Sequence, residues 1–466
     1  MKKYIFLLFT LACVSCTDYL DIKPYDRTIP QSTDDYSALI HKMCDGIDKG
    51  DYEWVAGNFT LTVNFESFAD NMETNLSDAD SRLDDYVGTY LSDKQRAYSN
   101  LYEQIRNSNI VLDNYQDGRD TREGQDIIGT AYAIRGVCYY QLLRMFCAPP
   151  LADDAKLGVP LVTEFDMEAK PVRSTIQETI AQVESDLKAA LACDIQEPMY
   201  RFNNDVINGY LARLYHWCGR WQEARDLAVD LLAKYPLLSG DDYVAMMTTQ
   251  YGLKGNRLFM ANLFSYNPLT LSDLETDLQK RPLSARYTSL FAEGTNDIRR
   301  KNNLFFNRKR KNKKLLFSDM RSAEFALIAM ECAYHLGDNA TALQELNNFR
   351  KNRITGMYIY NNLTLPAVDA NELIQVDALG NPLTPLLQAI LNERRKEFYL
   401  ENGDRWFELK RNGRPEWWVA VPDANDNTKY WKYWTRKYMY TWPIPVEDIQ
   451  QNPDLIQNPG YEETYH

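Results

Sequence analysis

The chain has 466 residues, enough for a large core in one domain or for two domains sharing one. Asp and Glu (65) outnumber Lys and Arg (52), and the formal charge of -13 argues against binding driven by nucleic-acid phosphates. Its 31 Tyr and 9 Trp supply many amphipathic rings, which suit packed helical cores or contacts to sugar and peptide.

Met1-Lys2-Lys3 is a basic start, and residues 4–12 are an apolar run too short to span a bilayer, so residues 1–15 read as a signal peptide. Ser15 directly before Cys16 resembles a bacterial lipobox, with Cys16 lipidated and residues 16–466 forming one domain. Several acyl chains on that cysteine would anchor the protein, since each buried CH₂ contributes about 0.8 kcal/mol. A polar leader (16–24) precedes a first helix over 33–48. Residues 50–92 have no sustained helical period. They carry Trp54, Asp70, Asn71, Arg82 and Tyr90, a mixture of ring faces with carboxylate, amide and guanidinium groups that sugar recognition needs. An ordinary surface loop is the plainer reading of the same composition.

Less regular helices follow over 98–115, 126–146 and 174–193, the last capped by Ser174 after an inserted loop with an extended piece at 158–162. Residues 206–236 form a helical hairpin. Leu211, Ala212, Tyr215, Gly219, Ala224 and Pro236 keep the offsets of the tetratricopeptide pattern, in which small residues let paired helices approach. Residues 237–283 are again irregular, reading as strand and loop, and include Phe259 and Tyr266. The basic stretch 299–314 reads as a solvated hairpin, with contact to anionic lipid or an acidic glycan as the alternative. A second hairpin, 323–353, repeats the Gly-to-Ala spacing through Gly337 and Ala342. Such units are stable only when stacked, so the expected fold is mainly α: tetratricopeptide-like hairpins forming an α-solenoid scaffold, with irregular loops and short strands packed against it. The scaffold lies mainly in 98–236 and 320–413, the ligand-side segments in about 50–92 and 237–319, and an extended tail in 414–466.

Enzyme chemistry has little support. His41, His216, His335 and His466 form no HExxH arrangement, and no nucleophile elbow or phosphate loop is present. Asp423 to Asn427 begins like a calcium loop but reaches Trp434 where a bidentate glutamate belongs. No metal or cofactor is expected. Cys44, Cys138, Cys147, Cys193, Cys218 and Cys332 have no metal-ligand spacing and read as buried thiols. Arg394, Arg395, Glu397 and Arg405 read as a structural ion-pair network, because a lone buried charge is costly. Trp417, Trp418, Trp431 and Trp434 read first as strand packing.

The helix with Glu393-Arg394-Arg395-Lys396-Glu397, the turn Gly403-Asp404-Arg405-Trp406, the segment Trp442-Pro443-Ile444-Pro445 and the closing Gln457-Asn458-Pro459-Gly460-Tyr461 together resemble the SusD/RagB family of Bacteroidetes nutrient-binding lipoproteins. The likeness extends to the 16–24 leader, the Arg135 helix, the 211–224 hairpin, Asp297 with Arg299, and Arg321 to Glu324. It implies a lipid-anchored outer-membrane protein facing the cell surface. Such a protein captures oligosaccharides and delivers them to a SusC-like TonB-dependent transporter, which the repeat face would contact. By position, Asp70, Arg82 and Tyr90 resemble ligand residues of some relatives, and Trp54, Asn71 and Tyr266 complete the candidate set. The alternatives are peptide capture, as in the RagB branch, and an adhesin-like surface lipoprotein.

Overall fold

The computed structural model describes residues 30–461 apart from 58, 73–86, 94–95, 167, 250–251, 262–282, 304, 307–308, 311–318 and 423–428. The first helix, Thr33–Lys49, begins at a capping box in which the Ser32 side chain accepts from the Asp35 amide and the Asp35 carboxylate accepts from Ser32. Helices Ala97–Asn114, Arg122–Phe146 and Ile176–Cys193 then pack side by side. Thr175, rather than Ser174, caps the third by accepting from the Glu178 amide. Ser174 lies in a short strand and donates to the Val159 carbonyl at 2.7 Å.

Both repeat hairpins are present, as Asn204–Trp217 with Trp221–Lys234 and Ser322–His335 with Asn339–Lys351. The helix Trp221–Lys234 packs on Ser322–His335, so the hairpins stack although about 90 residues separate them. Leu211, Ala212, Tyr215 and Ala224 are buried, as are Ala326, Ala342, Leu346 and Phe349. Gly219 turns the first hairpin at φ 74°, a left-handed conformation that any side chain would strain. The helix Pro385–Glu397 lies against both helices of the second hairpin. This mainly helical architecture agrees with the fold class read from the sequence.

Residues 50–92 depart from expectation. They contain helices Glu53–Ala56, Phe59–Phe68 and Val87–Asp93. Leu61, Phe65 and Phe68 recur at four and three steps and are buried against the C-terminal part of the chain. Polar Thr62, Glu66 and Asn71 are buried too, so the polar face that would have revealed a helical period is missing. In 237–283 a helix, Gly240–Met247, precedes the strand Arg257–Met260, which pairs with Asp319–Arg321. The basic stretch begins as helix Ile298–Asn303 and continues into an antiparallel pair, Phe305–Phe306 with Lys309–Arg310. Arg299, its first residue, is fully buried rather than solvated.

The tail closes the structure. Trp417–Pro422 and Lys429–Thr435 form a bulged antiparallel hairpin carrying Trp417, Trp418, Trp431 and Trp434; the calcium-like residues 423–427 lie outside the described residues. Trp442 is buried, and its amide donates to Met145 O at 2.9 Å. Asn458 Nδ2 donates to Phe146 O and Trp442 O, while its Oδ1 accepts from Arg173 at 2.8 Å. The six cysteines after Cys16 are free thiols, all buried except the half-buried Cys218.

Candidate functional site

Consecutive residues on a helix point about 100° apart, so Glu393-Arg394-Arg395-Lys396-Glu397 cannot face one partner. All five are nevertheless buried. Each direction meets a different set of opposite charges. Arg394 donates to Asp404 at 3.1 and 2.5 Å. Arg395 donates to Asn71 Oδ1 at 2.6 Å, Glu372 at 2.7 Å and Asp70 at 3.0 Å. Glu397 accepts from Arg321 at 2.6 Å and from Arg353 at 2.9 and 3.0 Å, and Arg321 also grips Glu401. Glu393 takes Arg299 at 2.7 Å and Lys396 at 2.6 Å. Arg405 then returns to Asp70 and Glu372, closing the lattice.

The electrostatics follow from this pairing. Burial alone would raise the Glu393 carboxyl, but Arg299 and Lys396 hold it at about 2. Burial also opposes ionisation of Glu397 and Asp70; Arg353 and Arg321 keep the first well below the usual carboxylate range, and Arg395 and Arg405 do so for the second. Asp404 moves the other way: its burial outweighs Arg394, and neighbouring Glu408 adds repulsion. Charged groups this enclosed and paired with opposite charges form a structural lattice, as expected for Arg394, Arg395, Glu397 and Arg405.

The lattice also receives two residues read as ligand contacts. Asp70 (2% exposed) and Asn71 (0%) are committed to Arg395, Arg405 and Glu66. Tyr90 (6%) packs its ring 5.0 Å from Phe68 and 5.9 Å from Trp442, inside an aromatic cluster. The structure thus places these three inside the protein, where no ligand reaches them without displacing their partners. Trp54 lies in helix Glu53–Ala56, and Arg82 and Tyr266 lie outside the described residues. Sequence reasoning missed Glu372, the second carboxylate of the Asp70 cluster, because it sits in a loop with no flanking motif.

An open groove of about 560 Å³ lies elsewhere, between the turn following helix Ile176–Cys193, the start of Asn204–Trp217 and strand Arg257–Met260. Asp194, Gln196, Glu197, Asn204, Asp205 and Lys234 supply its polar atoms, and Ile195, Leu258, Phe259 and Met260 an apolar floor. Its volume falls in the range of small-ligand sites. Asp70, Asn71 and Tyr90 do not line it. The run Glu197-Pro198 followed by Asn203-Asn204-Asp205 was its sequence signal, and it reads equally as capping and turn chemistry.

Among the described residues no cluster of His, Cys, Asp and Glu is arranged to hold a metal, and no helix is long and apolar enough to cross a membrane. The family model described as starch-binding associating with outer membrane matches residues 18–216, and the SusD family model matches residues 295–461. A SusD-like protein P25 from Formosa agariphila is 28% identical over 207 residues, covering 40% of this chain and 36% of that relative's length. Among solved structures, a protein from Bacteroides vulgatus superposes with a TM-score of 0.70 at 23% identity, covering 93% of this chain and all of the other. A SusD superfamily protein from Bacteroides thetaiotaomicron gives 0.66 at 20% identity, covering 92% and 100%. A SusD-like carbohydrate binding protein from Bacteroides vulgatus gives 0.68 at 18%, covering 91% and 98%. Two matching family models that together span 18–216 and 295–461, a shared fold, and the buried Arg–Glu helix inside the second matched region have one common explanation: the chain belongs to the SusD/RagB family.

Proposed function

We propose that this protein is a glycan-binding lipoprotein of the outer-membrane surface, anchored through Cys16, that captures oligosaccharides and passes them to a SusC-like TonB-dependent transporter. Membership of a family with a starch-binding, outer-membrane-associating model carries this reading. The internal chemistry agrees with binding rather than catalysis. The carboxylates of the central lattice are each held by arginine or lysine in the interior, so none is available as an acid or base toward a substrate. Binding to a rigid frame needs no more than loops and groove walls held in place, and the stacked hairpins supply that frame. Of the contacts expected from the sequence, Trp54, Arg82 and Tyr266 are retained as proposed ligand residues of segments 50–92 and 237–283, without excluding a second saccharide site.

The test is a glycan screen of the full-length, detergent-extracted protein, combined with affinity purification from native membranes. Saccharide binding and co-recovery of a large β-barrel protein are expected, and Cys16→Ala should release the chain from the membrane. Binding of peptides with no saccharide binding would overturn the glycan assignment. Recovery of the protein alone under mild detergent would overturn delivery.

A further inference from the structure

The groove beside residues 194–205 has an unequal supply of hydrogen-bonding atoms. Among the described residues its cations are Arg201 and Lys234, each paired with a carboxylate. Arg201 is bound to both oxygens of Asp48, its Nε at 3.2 and 3.0 Å and its Nη2 at 3.0 Å. Lys234 donates to Asp205 Oδ1 at 2.6 Å, and the Tyr235 hydroxyl takes the other oxygen at 2.8 Å. Asp194 and Glu197 differ. Asp194 accepts from Asn204 Nδ2 at 2.8 Å and Glu197 from the Met199 amide at 3.0 Å, but among the described residues neither carboxylate is in an ion pair. The Oδ1 atom of Asn204 is shielded from solvent and has no hydrogen-bond partner.

The groove therefore offers the Asp194 and Glu197 carboxylates as acceptors over an apolar floor, and its described cations are charge-paired. A ligand that suits it presents several donors and one apolar face. Sugars do this, through hydroxyls around the ring and the C–H face beneath. A uronate or sulfate group would instead meet Asp194 and Glu197, and among the described lining residues both cations are already paired with carboxylates.

We propose that this groove is a saccharide-binding site selective for amine-bearing or uncharged sugars over acidic ones. The proposal rests on the glycan-binding reading above and adds to it a location and a charge preference.

The experiment titrates the full-length protein in detergent with two probes, a glucosamine tetramer and a galacturonate tetramer, by calorimetry. Wild type should bind the glucosamine tetramer and show at least tenfold weaker binding of the galacturonate tetramer. Leu253→Trp, which fills the groove from an exposed rim position, should reduce glucosamine-tetramer affinity at least tenfold at unchanged melting temperature. The pair Asp194→Asn with Glu197→Gln, which keeps the side-chain shapes, should narrow the gap between the two probes. Glucosamine-tetramer binding that is indifferent to Leu253→Trp would remove the site and leave the glycan-binding reading intact. Preference for the galacturonate tetramer, or no binding of the glucosamine tetramer, would overturn the proposal; the glycan-binding reading itself fails only if the broad screen also finds no saccharide.

Discussion

Arg405 and Asp70 are 335 positions apart in sequence, yet Arg405 Nε lies 2.6 Å from Asp70 Oδ1 and its Nη2 lies 3.0 Å from Oδ2. This two-point contact joins the residues just after the Phe59–Phe68 helix to the first turn of helix Asp404–Arg411. Asp70 holds Arg395 as well, so one carboxylate offsets two enclosed guanidinium groups.

Removing that carboxylate should therefore be severe. Asp70→Ala leaves Arg395 and Arg405 to share Glu372, and uncompensated buried charge typically costs about 3–5 kcal/mol. Denaturant unfolding should show a loss of that order. A ligand-contact role for Asp70 would instead lower saccharide affinity with stability unchanged.

The lattice also fixes the response to acid. The Glu393 carboxyl sits at about 2 in the folded protein against 4.5 unperturbed, so the unfolded chain takes up its proton first as pH falls. Its contribution is fully present above pH 4.5 and is lost as pH falls toward 2. A shift of this size corresponds to about 3 kcal/mol. Glu397, Glu372 and Asp70 are lowered in the same direction, whereas Asp404, raised by burial, acts oppositely. Urea midpoints measured from pH 6 to pH 2 should fall steeply below pH 4.5, and Glu393→Gln should flatten that fall while lowering stability at pH 6.

The helical scaffold was legible because its signal is periodic. Ala212, Ala224, Ala326 and Ala342 mark helix contacts at the repeat offsets, and all four are buried. The charged helix was legible for another reason: five consecutive ionisable residues inside an apolar pattern imply partners. Where those partners lie was not legible. Asp70 and Asn71 look like ligand chemistry in a polar stretch, and only the approach of a helix more than 300 residues later turns them inward. The groove was hidden for the same reason, since Asp194, Asn204 and Phe259 come from three separate elements.

Tyr90 gives a direct contrast between a surface ring and a core ring. Its contacts with Phe68 and Trp442 are part of the main apolar cluster. Tyr90→Ala should cost about 3–5 kcal/mol, as other large-to-small aromatic changes in cores do. Thermal unfolding would register this as a clear drop in melting temperature. An unchanged melting temperature would return Tyr90 to the surface and to the ligand set.

The final prediction concerns Asn458, in the closing Gln-Asn-Pro-Gly-Tyr segment. Its side-chain amide donates to Phe146 O at 2.9 Å and Trp442 O at 2.6 Å, where the helix Arg122–Phe146 ends and the tail crosses it. Arg173 reaches the same point, bonding Asn458 Oδ1 at 2.8 Å and Ile456 O at 3.1 Å. Asn458→Ala removes all three side-chain bonds, takes the side-chain donor from Trp442 O in the interior and leaves Phe146 O only the longer bond from Arg173 at 3.3 Å. A buried carbonyl that loses its donor costs about 1–3 kcal/mol. Asn458→Asp keeps the acceptor for Arg173 but loses both donors, so it should be nearly as damaging as alanine. Limited proteolysis should then cut the last residues before the repeat hairpins in both variants, while the wild-type tail remains protected. Equal protection in all three proteins would mean that apolar packing of Trp442 and Tyr461 holds the tail without this clamp.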